Sequence, residues 1–114
     1  MGIKKIYALD FDGTLVIDKF PAIGSPRSDI INFAKKKKQE GHYLILNTMR
    51  EGQRLKEALA FCKRYGIEFD AVNDNLEFMK ERYQNNPRKI YADYYIDDRN
   101  LCWCEIIKES NKER

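Results

Sequence analysis

The stretch Ile6-Tyr7-Ala8-Leu9-Asp10-Phe11-Asp12-Gly13-Thr14-Leu15 constrains the fold more than any other part of the chain. An apolar run stops at two carboxylates one residue apart, followed by a glycine and a hydroxyl. Such a run, bounded by turn residues, reads as a buried strand. The acid pair then sits at the strand's C-terminal tip, where open α/β sheets place their ligand crevice. Two anions this close repel each other and are costly to desolvate. The tip therefore calls for a cation, a shared proton or an incoming electrophile.

The rest of the chain alternates helices and strands. Residues 16–26, with Pro21, Gly24 and Pro26, read as an irregular segment. A helix follows over 27–39, with Ile30, Ile31, Phe33 and Ala34 on its apolar side and Gly41 as its stop. The run 42–46 is a second strand. A second helix spans 53–65, with Leu55, Ala58, Leu59 and Cys62 as its packed stripe, and ends at Gly66. A third strand over 69–72, a helix over 76–83, a fourth strand ending at Ile96 and a last amphipathic helix over 103–109 complete the pattern. Alternation of this kind implies a parallel sheet with right-handed crossovers. The fold expected is α/β, a three-layer Rossmann-like domain with a small parallel sheet.

A length of 114 residues gives one domain with a single modest core, spanning 1–114. No apolar stretch is long enough to span a membrane, and no secretory h-region opens the chain. Cys62, Cys102 and Cys104 lack zinc-type spacing and read as reduced thiols in a cytoplasmic protein. The net charge of +3 leans only weakly towards anionic partners. The run Lys35 to Lys38 reads as a solvated helix face with a favourable C-terminal charge rather than a nucleic-acid patch.

In a parallel sheet every strand's C-terminal end lies on one rim. Asp10 and Asp12, Thr48 and Arg50, Asn73 and Asn75, and Asp97 and Asp98 each follow a different strand, so all are expected there. Phosphoryl transfer at Mg2+ fits this set. The ion prefers hard oxygen ligands and takes one or two carboxylates, here from Asp10 and Asp97, with water and substrate phosphate completing its shell. One carboxylate can attack phosphorus, and a second, two residues on, can move protons. Thr48, backbone N–H groups, Arg50 and a lysine are the candidates to meet the equatorial oxygens. Asn73 is carried as a further substrate-binding candidate, against a bland reading of Asn73 and Asn75 as turn formers.

These residues resemble a known family. Asp10-Phe11-Asp12-Gly13-Thr14-Leu15 resembles the first motif of the haloacid dehalogenase superfamily, Leu44-Ile45-Leu46-Asn47-Thr48 the second, and Ile96-Asp97-Asp98 the acidic fourth. Phe20-Pro21-Ala22-Ile23-Gly24, Phe69 to Asn73 and Ala92 to Arg99 resemble a subgroup of very small members. The resemblance implies Asp10 as nucleophile, Asp12 as general acid/base and Thr48 as a phosphate ligand. It implies Mg2+ held by Asp10, Asp97 and the Asp12 backbone carbonyl, with Asp98 supporting the metal shell.

By chain order Lys89 matches the family's lysine motif. A strand starting at Ile90 would put it roughly 26 Å from Asp97, at about 3.3 Å per residue, and so on the opposite rim. Lys89 serves only if the strand begins late, near Asp93, and the preceding loop doubles back; Lys80 is the fallback. Only 35 residues separate Asp12 from Thr48, and 40 separate Thr48 from Lys89. No cap domain fits in either interval. An uncapped site excludes water poorly, so either the phosphorylated substrate is bulky, such as a macromolecular terminus, or a second copy in a homo-oligomer supplies the lid. The expectation is an Mg2+-dependent phosphatase. A phosphotransferase and a non-catalytic metal and phosphate binder are the alternatives.

Overall fold

The computed structural model describes residues 3–83 and 89–97. Its elements run β1 (Ile6–Leu9), β2 (Val16–Lys19), β3 (Ala22–Pro26), α1 (Ser28–Gln39), β4 (Tyr43–Leu46), α2 (Gly52–Arg64), β5 (Ala71–Val72), α3 (Glu77–Tyr83) and β6 (Tyr94–Ile96). The expected final helix and Asp98 lie outside the described residues. Four strands form one parallel sheet in the order β5-β4-β1-β6. The chain steps outward from β1 through β4 to β5, then crosses to β6 on the other side of β1. A reversal of this kind opens a crevice at the C-terminal ends of the strands beside it.

Side-chain alternation along β1 and β4 divides the core into two layers. Tyr7, Leu9, Leu44 and Leu46 face α1 and α2, packing with Ile30, Ile31, Ala34, Ala58, Phe61 and Cys62. Ile6, Ala8 and Ile45 face the other way, against Leu76 and Met79 at α3 and against Ala92. All four β1 residues are buried, as a parallel strand covered on both faces requires. The result is a helix–sheet–helix, Rossmann-like α/β domain, with no cap among the described residues.

The segment 16–26 departs from the irregular loop expected of it. It folds as an antiparallel hairpin, β2 on β3, with Lys19 opposite Ala22 and a turn at Phe20-Pro21. Gly24 and Pro26 were read as breakers, but both sit in β3. A Cβ at Gly24 would lie 1.9 Å from the carbonyl oxygen of Ile17, so the neighbouring strand approaches too closely for any side chain.

The lysine run serves structure. Lys37 bonds Glu40 and lies over the rings of Tyr7 and Phe33, while Lys38 pairs with Asp70 at 2.5 Å. Asp70 also accepts the Leu44 N–H, tying α1 to β4. Among the described residues no helix is long and apolar enough to cross a membrane.

Two buried protons give the fold an alkaline limit. Burial pushes the Cys62 thiol up from 9.0 to about 12. Burial, then the nearby Tyr94, Glu40 and Asp93, push the Tyr7 hydroxyl up from 10.0 to about 12. Both groups hold their protons more tightly folded than unfolded. The stability this protects is complete below the unfolded values and is lost as pH climbs towards the folded ones. Urea unfolding should therefore show a lower midpoint at about pH 11 than at about pH 8, and Cys62→Ala should reduce the difference. An unchanged pH dependence in that variant would remove the thiol from the account.

Candidate functional site

Backbone hydrogen bonds one residue past each strand end align the rim. The Asp10 N–H donates to Ile96 O at 3.0 Å, the Asn47 N–H to Leu9 O at 2.8 Å and the Asn73 N–H to Leu46 O at 2.7 Å. Leu9 pairs with both Leu46 and Ile96, so Asp97, Asp10 and Asn47 follow three strands at one level. A cavity of about 220 Å³ opens there, lined by Asp10, Asp97, Thr48, Asn47, Met49 and Tyr95 among others. The rim expected of Asp10, Thr48 and Asp97 is thus present as one shared surface. Its size suits a phosphate and a hydrated ion better than an enclosed metabolite.

The loop after β1 is tightly wound. Phe11 is fully buried, and its carbonyl accepts the N–H groups of Thr14, Leu15 and Val16. Gly13 has φ 85° and donates to Val16 O. One Asp10 oxygen, Oδ1, accepts the Phe11 N–H at 2.8 Å, which fixes the carboxylate against its own loop.

Among the described residues no three His, Cys, Asp or Glu side chains converge as a metal cage. The donor set at the cavity is instead two carboxylates, Asp10 and Asp97, with the lining residues Asn47 and Thr48 beside them. Hard oxygens in that number suit Mg2+, which keeps several waters, and do not suit zinc.

Asp12 does not line the cavity. Its Oδ2 accepts from Arg50 Nε and its Oδ1 from Arg50 Nη2, both at 2.7 Å. Arg50, expected to bind substrate, has a fully buried side chain. Nη2 also donates to Ala22 O at 3.0 Å, and Nη1 donates to Pro21 O at 3.3 Å and Arg54 O at 3.4 Å. All five N–H donors of the guanidinium are therefore engaged by the protein. Its central carbon lies about 5 Å from the ring centroids of both Phe11 and Phe20. Hydrogen bonding to the Asp12 carboxylate raises the Arg50 pKa above its ordinary value. Arg50 holds the site together and has no donor left for a phosphate.

Asn73 is also corrected. Its backbone is left-handed, φ 51°, and its Oδ1 accepts the Thr48 N–H at 2.7 Å. That amide is thereby withdrawn from any anion. Thr48 Oγ1 accepts the Arg50 N–H at 3.2 Å, which leaves the hydroxyl hydrogen as the donor Thr48 can offer.

The late strand start needed for Lys89 is found. β6 begins at Tyr94, and the Asp93 N–H donates to Ile6 O at the far end of β1. Buried Asn75, three residues past β5, donates to the Lys89 carbonyl at 3.3 Å and accepts the Tyr91 N–H at 2.7 Å. The backbone of Lys89 is thus tied to the rim side of the sheet. Lys89 itself is exposed and is not among the cavity-lining residues. Lys80, the fallback, is engaged elsewhere: its Nζ lies 2.6 Å from Asp74 and 3.3 Å from Glu77.

Sequence reasoning missed two residues at the mouth. Met49 is 99% exposed beside Thr48, and both it and Tyr95 line the cavity. A large apolar side chain left in water directly after a polar strand end was the available signal for Met49.

A conserved protein of known structure from Bacteroides thetaiotaomicron is similar to this chain. The two are 36% identical, with 98% of this chain and 93% of that one covered and a TM-score of 0.82. This chain belongs to that protein's family. No protein-family model matches the chain, and no curated protein does. The likeness extends over nearly the full length of both members.

The role given to Asn73 is open to a direct check. Asn73→Ala removes the acceptor for the Thr48 N–H and puts a residue less tolerant than asparagine in the left-handed region, and should cost about 1–2 kcal/mol of stability. Asn73→Asp keeps both the acceptor and the tolerance for that backbone, and should stay near wild type in urea unfolding. Equal stability of the two variants would contradict the structural role.

Proposed function

We propose that this protein is an Mg2+-dependent phosphomonoester phosphatase of the haloacid dehalogenase type, with Asp10 as nucleophile. The observation carrying the reading is the single cavity that Asp10 and Asp97 line together with Thr48. When bound at those two carboxylates, Mg2+ would supply positive charge that draws in the phosphate and neutralises the acidic rim. The motif resemblance supports the same assignment.

In this reading the second Asp10 oxygen attacks phosphorus, and the ester P–O bond to the leaving oxygen breaks as the aspartyl-phosphate forms. By the motif resemblance, Asp12 would reach in from beside the cavity to give the leaving oxygen a proton, then take one from the water that hydrolyses the aspartyl-phosphate. Arg50 uses one lone pair on each Asp12 oxygen, and a carboxylate oxygen has two, so a proton can still be received there. The Thr48 hydroxyl donates to an equatorial oxygen. An open mouth bearing Met49 and Tyr95 favours a substrate larger than the cavity, gripped by its phosphate end.

Turnover of p-nitrophenyl phosphate with Mg2+ tests the proposal. Asp10→Asn should lose roughly three orders of magnitude or more in kcat. Asp97→Asn should raise the Mg2+ concentration needed for half-maximal rate, and EDTA should stop the reaction. Full activity in Asp10→Asn would rule out this nucleophile.

A further inference from the structure

We infer that Arg50 is a positioning residue that makes docking of the β2–β3 hairpin and placement of Asp12 a single event. The inference rests on the phosphatase reading only for its kinetic consequence. A buried guanidinium is tolerated only when its charge and donors are all met, and here three separate pieces of chain meet them. Asp12 from the loop after β1 takes two bonds, the hairpin turn takes two through Pro21 O and Ala22 O, and the first turn of α2 takes one through Arg54 O. The rings of Phe20, from the hairpin turn, and Phe11, from the loop after β1, both lie about 5 Å from the guanidinium carbon. The hairpin's strands pair with each other and not with the main sheet. Its turn is tied to the domain through this side chain, while Val16 and Ile23 pack its strands against the core. The carboxylate that would handle protons and the hairpin turn share one anchor, so loosening either loosens the other.

Lysine cannot substitute. Its ammonium is a point charge with three donors and cannot form the fork to Asp12 while reaching both hairpin carbonyls and α2. Arg50→Lys should remain folded by circular dichroism, and its hairpin amides over 17–25 should exchange with deuterium about tenfold faster or more. With p-nitrophenyl phosphate and Mg2+, kcat should fall about tenfold or more while KM stays within about threefold, the pattern of a lost transition-state arrangement.

A raised KM at unchanged kcat would make Arg50 a substrate ligand and overturn the inference. Unchanged hairpin exchange would overturn it as well. Should Arg50→Lys fail to fold, Asp12→Asn gives the reciprocal test, since it leaves Arg50 in place and sets an amide N–H against its fork. Faster hairpin exchange in that variant supports the coupling, and wild-type exchange refutes it. A wild-type protein with no turnover at all would end the phosphatase reading, while the exchange measurements would still decide the coupling.

Discussion

Leu9, Leu46 and Ile96 finish their strands side by side, and the rest of the structure depends on that register. The side-chain period of a strand is two, so a slip of one residue would turn Leu9 and Tyr7 towards α3 and Ala8 towards α1 and α2. Both layers of the core would then be filled wrongly. The large residues Tyr7, Leu9, Leu44 and Leu46 are matched to the two-helix side, whereas small Ala8 sits on the α3 side. Hydrophobic packing thereby fixes, through register alone, which polar residues emerge together at the rim. Asp10, Asn47 and Asp97 are neighbours because the apolar residues before them are.

The rim concentrates negative charge, and the fold answers with a cation placed beneath the surface. Arg50 lies at the junction of the loop after β1, the hairpin and α2, and its bidentate pair with Asp12 takes one of the acids out of the cavity lining. What remains exposed to a ligand is the Asp10 and Asp97 pair with the Thr48 hydroxyl. The separation matters for the proposed chemistry, because Asp10, which would help hold a metal, and Asp12, which would move protons, occupy different electrostatic surroundings although only two residues apart.

The elements most legible in the sequence were those written as local pattern. The run into Asp10 and the 3–4 stripe of α2 gave β1 and α2 to within a residue or two, and Gly41 and Gly66 marked the helix ends. The convergence of Asp10, Thr48 and Asp97 followed from parallel topology. The hairpin did not, because glycine and proline are read as breakers, and only the approach of the Ile17 carbonyl explains why Gly24 belongs in a strand. Arg50 was misassigned for a related reason. Arginine is rarely buried, and its burial here depends on carbonyls from residues 21, 22 and 54, whose meeting no sequence window contains. The tie from Asn75 to Lys89 and Tyr91 spans a similar distance along the chain. Long-range polar satisfaction was the part that residue patterns could not carry.

The proposed divalent-ion site depends on strand register bringing the carboxylates of Asp10 and Asp97 to one cavity at the end of the sheet. Crystals grown or soaked with Mn2+ in place of Mg2+, with anomalous data collected, test it most directly. The expected result is one strong peak bridging Asp10 and Asp97, at about 2.0–2.3 Å from an oxygen of each, and absent in Asp97→Asn. A peak bound elsewhere, or none at the rim with the metal in excess, would contradict it.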